Sequence, residues 1–251
     1  MVTATDAQIS HFISSAEALG LSLSKRQLAL FMRFYELLLD WNSRMNLTTI
    51  TDFDEAVSKH FIDSLSLVRA AEYVSLQDSL SVLDLGTGAG FPGIPLKIMF
   101  PQLRITLLDS LQKRVAFLQA VIDELQFNSV SAAGICAVHG RAEELALQQA
   151  YRERFDLCVS RAVAKLPTLS EYCLPFVRLD GYFISYKADA ASEWQQAQKA
   201  IALLGGKTEA AISLTLPETE IQRTLFVIKK EKPTPKKFPR KAGTPSKNPL
   251  S

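Results

Sequence analysis

"VLDLGTGAGFPGIPL", residues 82–96, decides how the rest of the chain is read. An apolar run closes on Asp84 and Leu85, and Gly86, Gly88, Gly90 and Gly93 follow it directly. A buried strand that runs into such a cluster of glycines makes a tight turn whose backbone can approach a ligand closely. Pro92 and Pro95 then suit the first turn of a helix. Gly88, Gly90 and Gly93 also spell G-x-G-x-x-G, the pattern of a dinucleotide loop, yet the acidic Asp84 stands just before it. Those two features favour different ligands.

Outward from this loop, short apolar runs alternate with amphipathic stretches. "RITLLDS" (104–110), "GICAVHG" (134–140), "FDLCVSRA" (155–162) and "GYFISYK" (181–187) read as further buried strands. Between them, "SLQKRVAFLQAVIDEL" (110–125), "RAEELALQQAYRE" (141–153) and "PTLSEYCLPFV" (167–177) read as helices, as does "DAASEWQQAQKAIALL" (189–204). Such alternation specifies a parallel sheet covered on both faces. "AAISLTL" (210–216) and "QRTLFVIKK" (222–230) look like an antiparallel pair that closes one edge. The N-terminal residues are helical in pattern. In "SKRQLALFMRFYELLLDWNSRM" (24–45), Leu28, Phe31, Met32, Tyr35, Leu38 and Leu39 form one apolar stripe behind a Ser24 cap, and a second helix is expected from about Asp54 to Tyr73. The expected architecture is a Rossmann-like α/β domain with a mostly parallel seven-stranded sheet. A helical N-terminal cap spans 1–75, the ligand-binding core 76–230, and a basic, proline-rich tail 231–251.

The 251 residues, 47% of them hydrophobic, suffice for a sizeable core. Cys136, Cys158 and Cys173 have no metal-ligand spacing and sit in apolar company, so buried, reduced thiols and no metal site are expected. No run approaches the ~20 apolar residues of a bilayer span, and the N-terminus lacks the pattern of a signal peptide, so a cytoplasmic protein without a membrane role is expected. The net charge of +2 hides an asymmetry. Residues 229–251 carry eight Lys and Arg against Glu231 alone, a net +7, which leaves −5 for the body. Such a segment, poor in aliphatic residues, is expected to lie on the surface or stay mobile until an acidic partner orders it. It reads as an arm for nucleic-acid phosphates through Arg240, Lys241 and Lys247, or more plainly as a solubilising tail.

In a sheet of this kind the ligand sits at the C-terminal ends of the strands. A diphosphate would use the free N–H groups at the helix start, whereas S-adenosylmethionine brings a sulfonium and an ammonium. Asp84 repels the first and attracts the second, and Pro92 and Pro95 remove two donors that a diphosphate would use. Asp109, at the end of the second strand with Ser110 beside it, is placed to hold a ribose diol, a need common to both ligands. Ala142 and Glu143 are candidates to meet an adenine ring; Glu143 could equally serve a helix N-terminus. After the fourth strand, "SRAVAKL" lacks the Asn/Asp-Pro-Pro-aromatic run used on exocyclic amines, and no cysteine is placed to attack a pyrimidine. An acceptor with an in-plane lone pair, such as guanine N7, requires neither device and no general base. Arg161 and Lys187, with the tail, favour a phosphate-bearing acceptor, although Arg161 could instead pair with Asp156 or Glu143 as a structural link. A small-molecule or protein methyltransferase and a nicotinamide-dependent oxidoreductase are the competing readings.

"WNSRMNLT" (41–48), "KHFIDSL" (59–65), the glycine loop, "TLLDSLQKRVAFL" (106–118), "RAEE" (141–144), "SRAVA" (160–164) and "FPRKAGTPSKNPL" (238–250) together resemble the bacterial ribosomal RNA small-subunit methyltransferase G family, also called glucose-inhibited division protein B. The resemblance implies a class I methyltransferase fold. It also implies S-adenosylmethionine as donor, guanine N7 of small-subunit ribosomal RNA, free or in a ribosomal particle, as acceptor, and no obligate protein partner. It implies cofactor contacts at Gly86, Phe91, Asp109, Ala142, Glu143 and Arg161, which join Asp84, Gly88 and Ser110 from the loop reading. Asn46, His60, Asp63 and Ser64 match the family's N-terminal motifs, with His60 a candidate wall of the substrate pocket and not a base. Ala188 stands where the family often has glycine.

Overall fold

The computed structural model describes residues 4–130, 134–161, 163–188 and 191–250; Ala162, within the "SRAVA" motif, and the outermost residues of the expected cap and tail lie outside them. Two helices open the chain, α1 (Asp6–Ala18) and α2 (Lys25–Met45). Each starts with a capping box: Thr5 and Gln8 exchange bonds in α1, and Ser24 and Gln27 in α2, which satisfies donors the first turn would otherwise leave free. Asn46 ends α2 in the left-handed region, φ 49°. The second expected helix is broken into α3 (Phe53–Ala56), one π turn (Val57–Ile62), α4 (Asp63–Leu65) and a 3-10 turn (Ser66–Ala70). The π turn carries His60, and such widened turns recur at functional sites.

The core follows as β1 (Ser81–Leu85), α5 (Gly93–Met99), β2 (Arg104–Asp109), α6 (Gln112–Glu124), α7 (Phe127–Val130), β3 (Ile135–His139), α8 (Ala142–Leu145), β4 (Phe155–Arg161), α9 (Leu166–Cys173), β5 (Val177–Lys187), α10 (Ala191–Leu203), β6 (Gly206–Thr215) and β7 (Gln222–Lys230). The sheet order is β3-β2-β1-β4-β5-β7-β6, parallel except where β7 pairs antiparallel with β5 and β6. Strand alternation feeds two cores. Val82, Leu107 and Val159 face the side covered by the cap, and Leu83, Leu108 and Cys158 face α9 and α10. The cap's core is a relay of rings, Phe12 on Phe31, Phe31 on Phe61, and Phe34 on both Phe61 and Phe91, which fastens the cap to the glycine loop. Among these, Phe34 lies outside the apolar stripe read from the sequence and is fully buried.

Three expectations require correction. The helix expected over 141–153 is only α8, because Arg152 turns back to donate to the carbonyl oxygens of Ala146, Phe238 and Thr234. Cys136 is exposed on the edge strand β3, while Cys158 and Cys173 are buried. The tail is not a loose polycation. Thr234, Phe238, Pro239 and Pro245 are buried, and a short helix, α11 (Thr244–Lys247), ends it. Composition missed this because acids of the body meet the tail's charges and donors one by one. Lys230, fully buried, sits 3.2 Å from Glu153 and donates to the carbonyls of Leu174 and Val177; Glu153 also accepts from Thr234 N. Burial pushes the Lys230 ammonium down to about 8.

Candidate functional site

The glycine loop fixes what this edge of the sheet can bind. Gly86, Gly88 and Gly90 have φ of 71°, 62° and 92°, a region that side chains disfavour. Gly93 is needed for a different reason: a Cβ there would lie 2.3 Å from Leu107 Cδ2 and 2.8 Å from Asp84 Oδ2. Most of the loop's donors are spent on the protein itself. Gly86 and Thr87 N–H donate to Leu108 O, Gly88 N–H to Asp109 Oδ2, and Gly90 and Phe91 N–H to Thr87 O. In the first turn of α5, Gly93 N–H donates to Asp84 Oδ2 and Ile94 N–H to Gly90 O, while Pro92 and Pro95 have none to give. A diphosphate therefore finds no free helix start here.

Negative charge remains. Asp84 is fully buried beneath the loop, where Oδ2 accepts from Thr87 Oγ1 at 2.6 Å and Gly93 N at 2.8 Å. Its Oδ1 has no partner among the described residues. Burial pushes this carboxyl up to about 7 against the opposing pull of those two bonds. The sequence reading set Asp84 directly before the glycines to attract a cationic ligand; the structure buries it under the loop, outside the lining of the cleft, so its charge acts through the loop. Asp109 is 3% exposed and is held by Leu111 N, Gly88 N and Arg114. It lines a cleft of about 210 Å³ with Gly86, Ser110, Ala142 and Glu143. That volume falls below the ~300–1,000 Å³ of a drug-sized pocket and suits a nucleoside without its amino-acid arm.

A second cleft, about 440 Å³, opens at the ends of β4, β5 and β7. Its lining combines Lys59, Arg161, Lys187 and Arg223 with Asp63 and Glu193, so cations outnumber acids. Asp63, 1% exposed, is its keystone: Arg161 donates to Oδ2 at 2.7 Å, while Arg223 donates to Oδ1 at 2.6 Å and Oδ2 at 3.0 Å. The His60 ring stacks on Phe91, centroids 4.3 Å apart, and the Arg161 guanidinium lies 5.2 Å from the same ring. Arg161 Nη2 faces His60 Nδ1 at 3.4 Å. A guanidinium only donates, so Nδ1 is the acceptor and the proton sits on Nε2, which donates to Thr48 Oγ1 at 3.0 Å. Burial and the neighbouring Arg161 push His60 down to about 4, so the ring is neutral near pH 7.

Of the residues expected at the cofactor, Gly86, Asp109, Ser110, Ala142 and Glu143 meet in the smaller cleft. Gly88 anchors Asp109 beside it, Phe91 lies behind the loop at 5% exposure, and Arg161 lines the larger cleft. Arg161 pairs with Asp63, not with Asp156, which holds Ser81 and Arg178, nor with Glu143, which accepts from Gly243 N. His60 and Lys187 line the larger cleft, but Lys187 is bound by Ala164 O and Glu193. Arg240 turns inward to the fully buried Glu171 and keeps part of its side chain exposed, whereas Lys241 and Lys247 are exposed. Ala188 lines the larger cleft and is exposed. Sequence reasoning missed Arg223, on a strand 160 residues from Asp63; the single Arg within the apolar strand pattern "QRTLFVIKK" was the available signal. A further cavity, about 520 Å³, is lined by Gln27, Lys97 and Leu125 with no acid, and it lies where β2 begins, away from both clefts.

Comparison with known proteins gives one consistent answer. A family model described as rRNA small subunit methyltransferase G, GidB, matches residues 27–223. A Ribosomal RNA small subunit methyltransferase G of Lachnoclostridium phytofermentans is 50% identical over 242 residues, covering 96% of this chain and 97% of its own. One of the same name from Bacillus velezensis is 47% identical over 243 residues, covering 96% and 98%. Among solved structures, a chain described as a sarcosine dimethylglycine methyltransferase of Galdieria sulphuraria matches with a TM-score of 0.53 at 14% identity, over 79% of this chain and 97% of that one, a likeness of fold.

Proposed function

Because the chain belongs to the rRNA small subunit methyltransferase G family, we propose that it transfers a methyl group from S-adenosylmethionine to N7 of a guanine in small-subunit ribosomal RNA. The observation that carries this reading is the spent loop. Most of the backbone donors that would hold a diphosphate are used internally, while Asp109 and Glu143 in the cleft, with Asp84 beneath the loop, outnumber the cleft's Arg141. A cationic nucleoside suits that environment, and two unit charges ~4 Å apart attract by roughly 4 kcal/mol at an effective dielectric near 20 before desolvation is counted.

When bound, the cofactor supplies a methyl carbon made electrophilic by its sulfonium. The chain's own work is placement. Asp109 holds the nucleoside end, Gly86 lets the backbone approach, and Asp84 opposes the ligand's positive charge from below. Arg161, Arg223 and Lys59 receive the phosphates of the acceptor in the larger cleft, beside the neutral His60 ring. Guanine N7 attacks with an in-plane lone pair and carries no proton, so no residue is asked to act as a base. An ribosomal acceptor sets this work in the cytoplasm, on free RNA or a ribosomal particle and without an obligate protein partner. No helix of the described residues is long and apolar enough to cross a membrane.

The test is transfer of labelled methyl from S-adenosylmethionine to small-subunit ribosomal RNA, read by strand cleavage specific for N7-methylguanine. One labelled guanine is expected, absent from RNA of a deletion strain until the protein is added. Label elsewhere than N7, or an identical pattern in the deletion strain, overturns the proposal.

A further inference from the structure

The C-terminal segment has a use beyond its charge. Gly243 and Ser246 line the smaller cleft together with Asp109 and Glu143, although they lie 100 residues beyond that acid. Gly243 N–H donates to Glu143 Oε1 at 2.9 Å. Glu143 is 7% exposed; its Oε1 is held by the segment, while its Oε2 accepts from no donor among the described residues and is not fully enclosed.

The segment is placed with care. Arg240 clasps Glu171 through Nε at 2.9 Å and Nη2 at 2.6 Å, and its own N–H donates to Glu171 Oε1 at 2.8 Å. Glu171 is fully buried, so the fork supplies the charge partner that carboxylate needs. Three residues earlier on the same face of α9, Thr168 Oγ1 donates to Pro245 O at 3.1 Å. Ser246 Oγ donates to Gly243 O at 3.1 Å. Gly243 has φ 81°, and a Cβ there would meet nothing within 4 Å. The glycine is thus set by backbone conformation and not by crowding.

Resting on the cofactor reading above, we infer that residues 240–246 form a wall of the cofactor cleft, in which Gly243 is a positioning residue that orients Glu143 toward the nucleoside. A carboxylate fixed at one oxygen offers the other as an acceptor for an exocyclic amino group, and it loses little freedom when that bond forms. Arg240 acts one step further away, by pinning the wall to α9.

Gly243→Val tests this, because a β-branched residue disfavours the left-handed region and draws the 243 N–H away from Glu143 as the backbone relaxes, while the added side chain itself has room. Calorimetry with S-adenosylhomocysteine, the chain intact, is expected to show affinity about tenfold weaker in Gly243→Val, and weaker by the same factor for adenosine alone. Gly243→Asn, which tolerates that region and keeps the N–H, is expected to bind both compounds as the parent does, and the affinity for ribosomal RNA is expected to hold in both variants. In the methyl-transfer assay of Gly243→Val the KM for S-adenosylmethionine rises while kcat at saturating cofactor holds, the pattern of a contact made equally in ground and transition states. Arg240→Lys, which keeps a charge on Glu171 and loses the fork, is expected to weaken S-adenosylhomocysteine in the same direction. Parent-like affinity for S-adenosylhomocysteine in Gly243→Val overturns the inference, as does a loss confined to S-adenosylhomocysteine and absent with adenosine. A parent protein that binds neither compound overturns the cofactor reading itself.

Discussion

The two clefts at the C-terminal edge of the sheet adjoin at the glycine loop and are built on opposite plans. The smaller takes Gly86, Asp109, Ala142 and Glu143 from the ends of consecutive strands, and its carboxylates are held mostly by backbone N–H groups. The larger draws His60 and Asp63 from the cap, Arg161 from β4 and Arg223 from β7, and it is held by ion pairs across the fold. A site closed by backbone bonds can lose a side chain and keep its shape. A site closed by one carboxylate shared between two guanidinium groups cannot.

The contrast is broken most severely at Asp63. Asp63→Ala leaves Arg161 and Arg223, 13% and 15% exposed, without their shared partner, and a loss of about 3–5 kcal/mol is expected in denaturant unfolding. Parent-like stability would show that the ion pairs do not hold the larger cleft. Asp109→Ala moves a different quantity: the Kd for S-adenosylmethionine is expected to rise about 10–100-fold by calorimetry, the worth of one hydrogen bond to a charged group, while RNA affinity holds. Equal losses for both ligands would mean that the clefts are one site.

Asp84 sharpens the comparison through pH. In the folded chain its carboxyl keeps its proton to about 7, against an ordinary 3.8 when unfolded. Its contribution to stability is therefore fully present below 3.8 and is lost as pH rises through about 7. A cationic ligand favours the ionised form, so binding of S-adenosylmethionine releases protons near pH 7 and tightens as pH rises from 6 to 8. Calorimetry in two buffers of different ionisation enthalpy reads the release directly, and Asp84→Asn abolishes it while weakening the cofactor. An unchanged proton count in that variant would contradict the assignment.

His60 gives the smallest effect. The folded chain binds its proton only near 4, while the unfolded chain binds one near 6.5. Its contribution to stability is present above 6.5 and is lost as pH falls toward 4. The thermal midpoint of His60→Gln is expected to fall less steeply than the parent's across that window, and the transfer rate should show no step at 6.5 assignable to this ring. Identical slopes would place a proton on His60 that the geometry denies it.

The difference between the clefts also explains what could be read from residues alone. Seven strands, their order of appearance and the smaller cleft follow from local signals: an apolar run, a cluster of glycines, an acid at a strand end. The larger cleft depends on Asp63 meeting Arg223 across 160 residues, which no local spacing encodes. Asp84 shows the limit within a motif, for its place under the loop is set by Thr87 and Gly93, whose bonds turn the carboxylate inward. The tail shows the limit of composition. Counting its charges predicts a segment that lies on the surface or stays mobile until an acidic partner orders it, and cannot foresee that Glu153, Glu171 and Glu143 of the chain itself bind it residue by residue. Deleting residues 232–251 would therefore uncover buried Glu171 and Lys230 and confound RNA affinity with folding, so Lys241→Ala and Lys247→Ala are the cleaner probes of an RNA contact.

The central claim is that a loop with most of its donors spent and its carboxylates in place selects a cationic nucleoside over a diphosphate. Parallel calorimetric titrations of the intact protein with S-adenosylmethionine and with NAD test it most directly. Saturable binding of S-adenosylmethionine at one site, with no heat from NAD, is the predicted result; saturable NAD binding without a response to S-adenosylmethionine would contradict it.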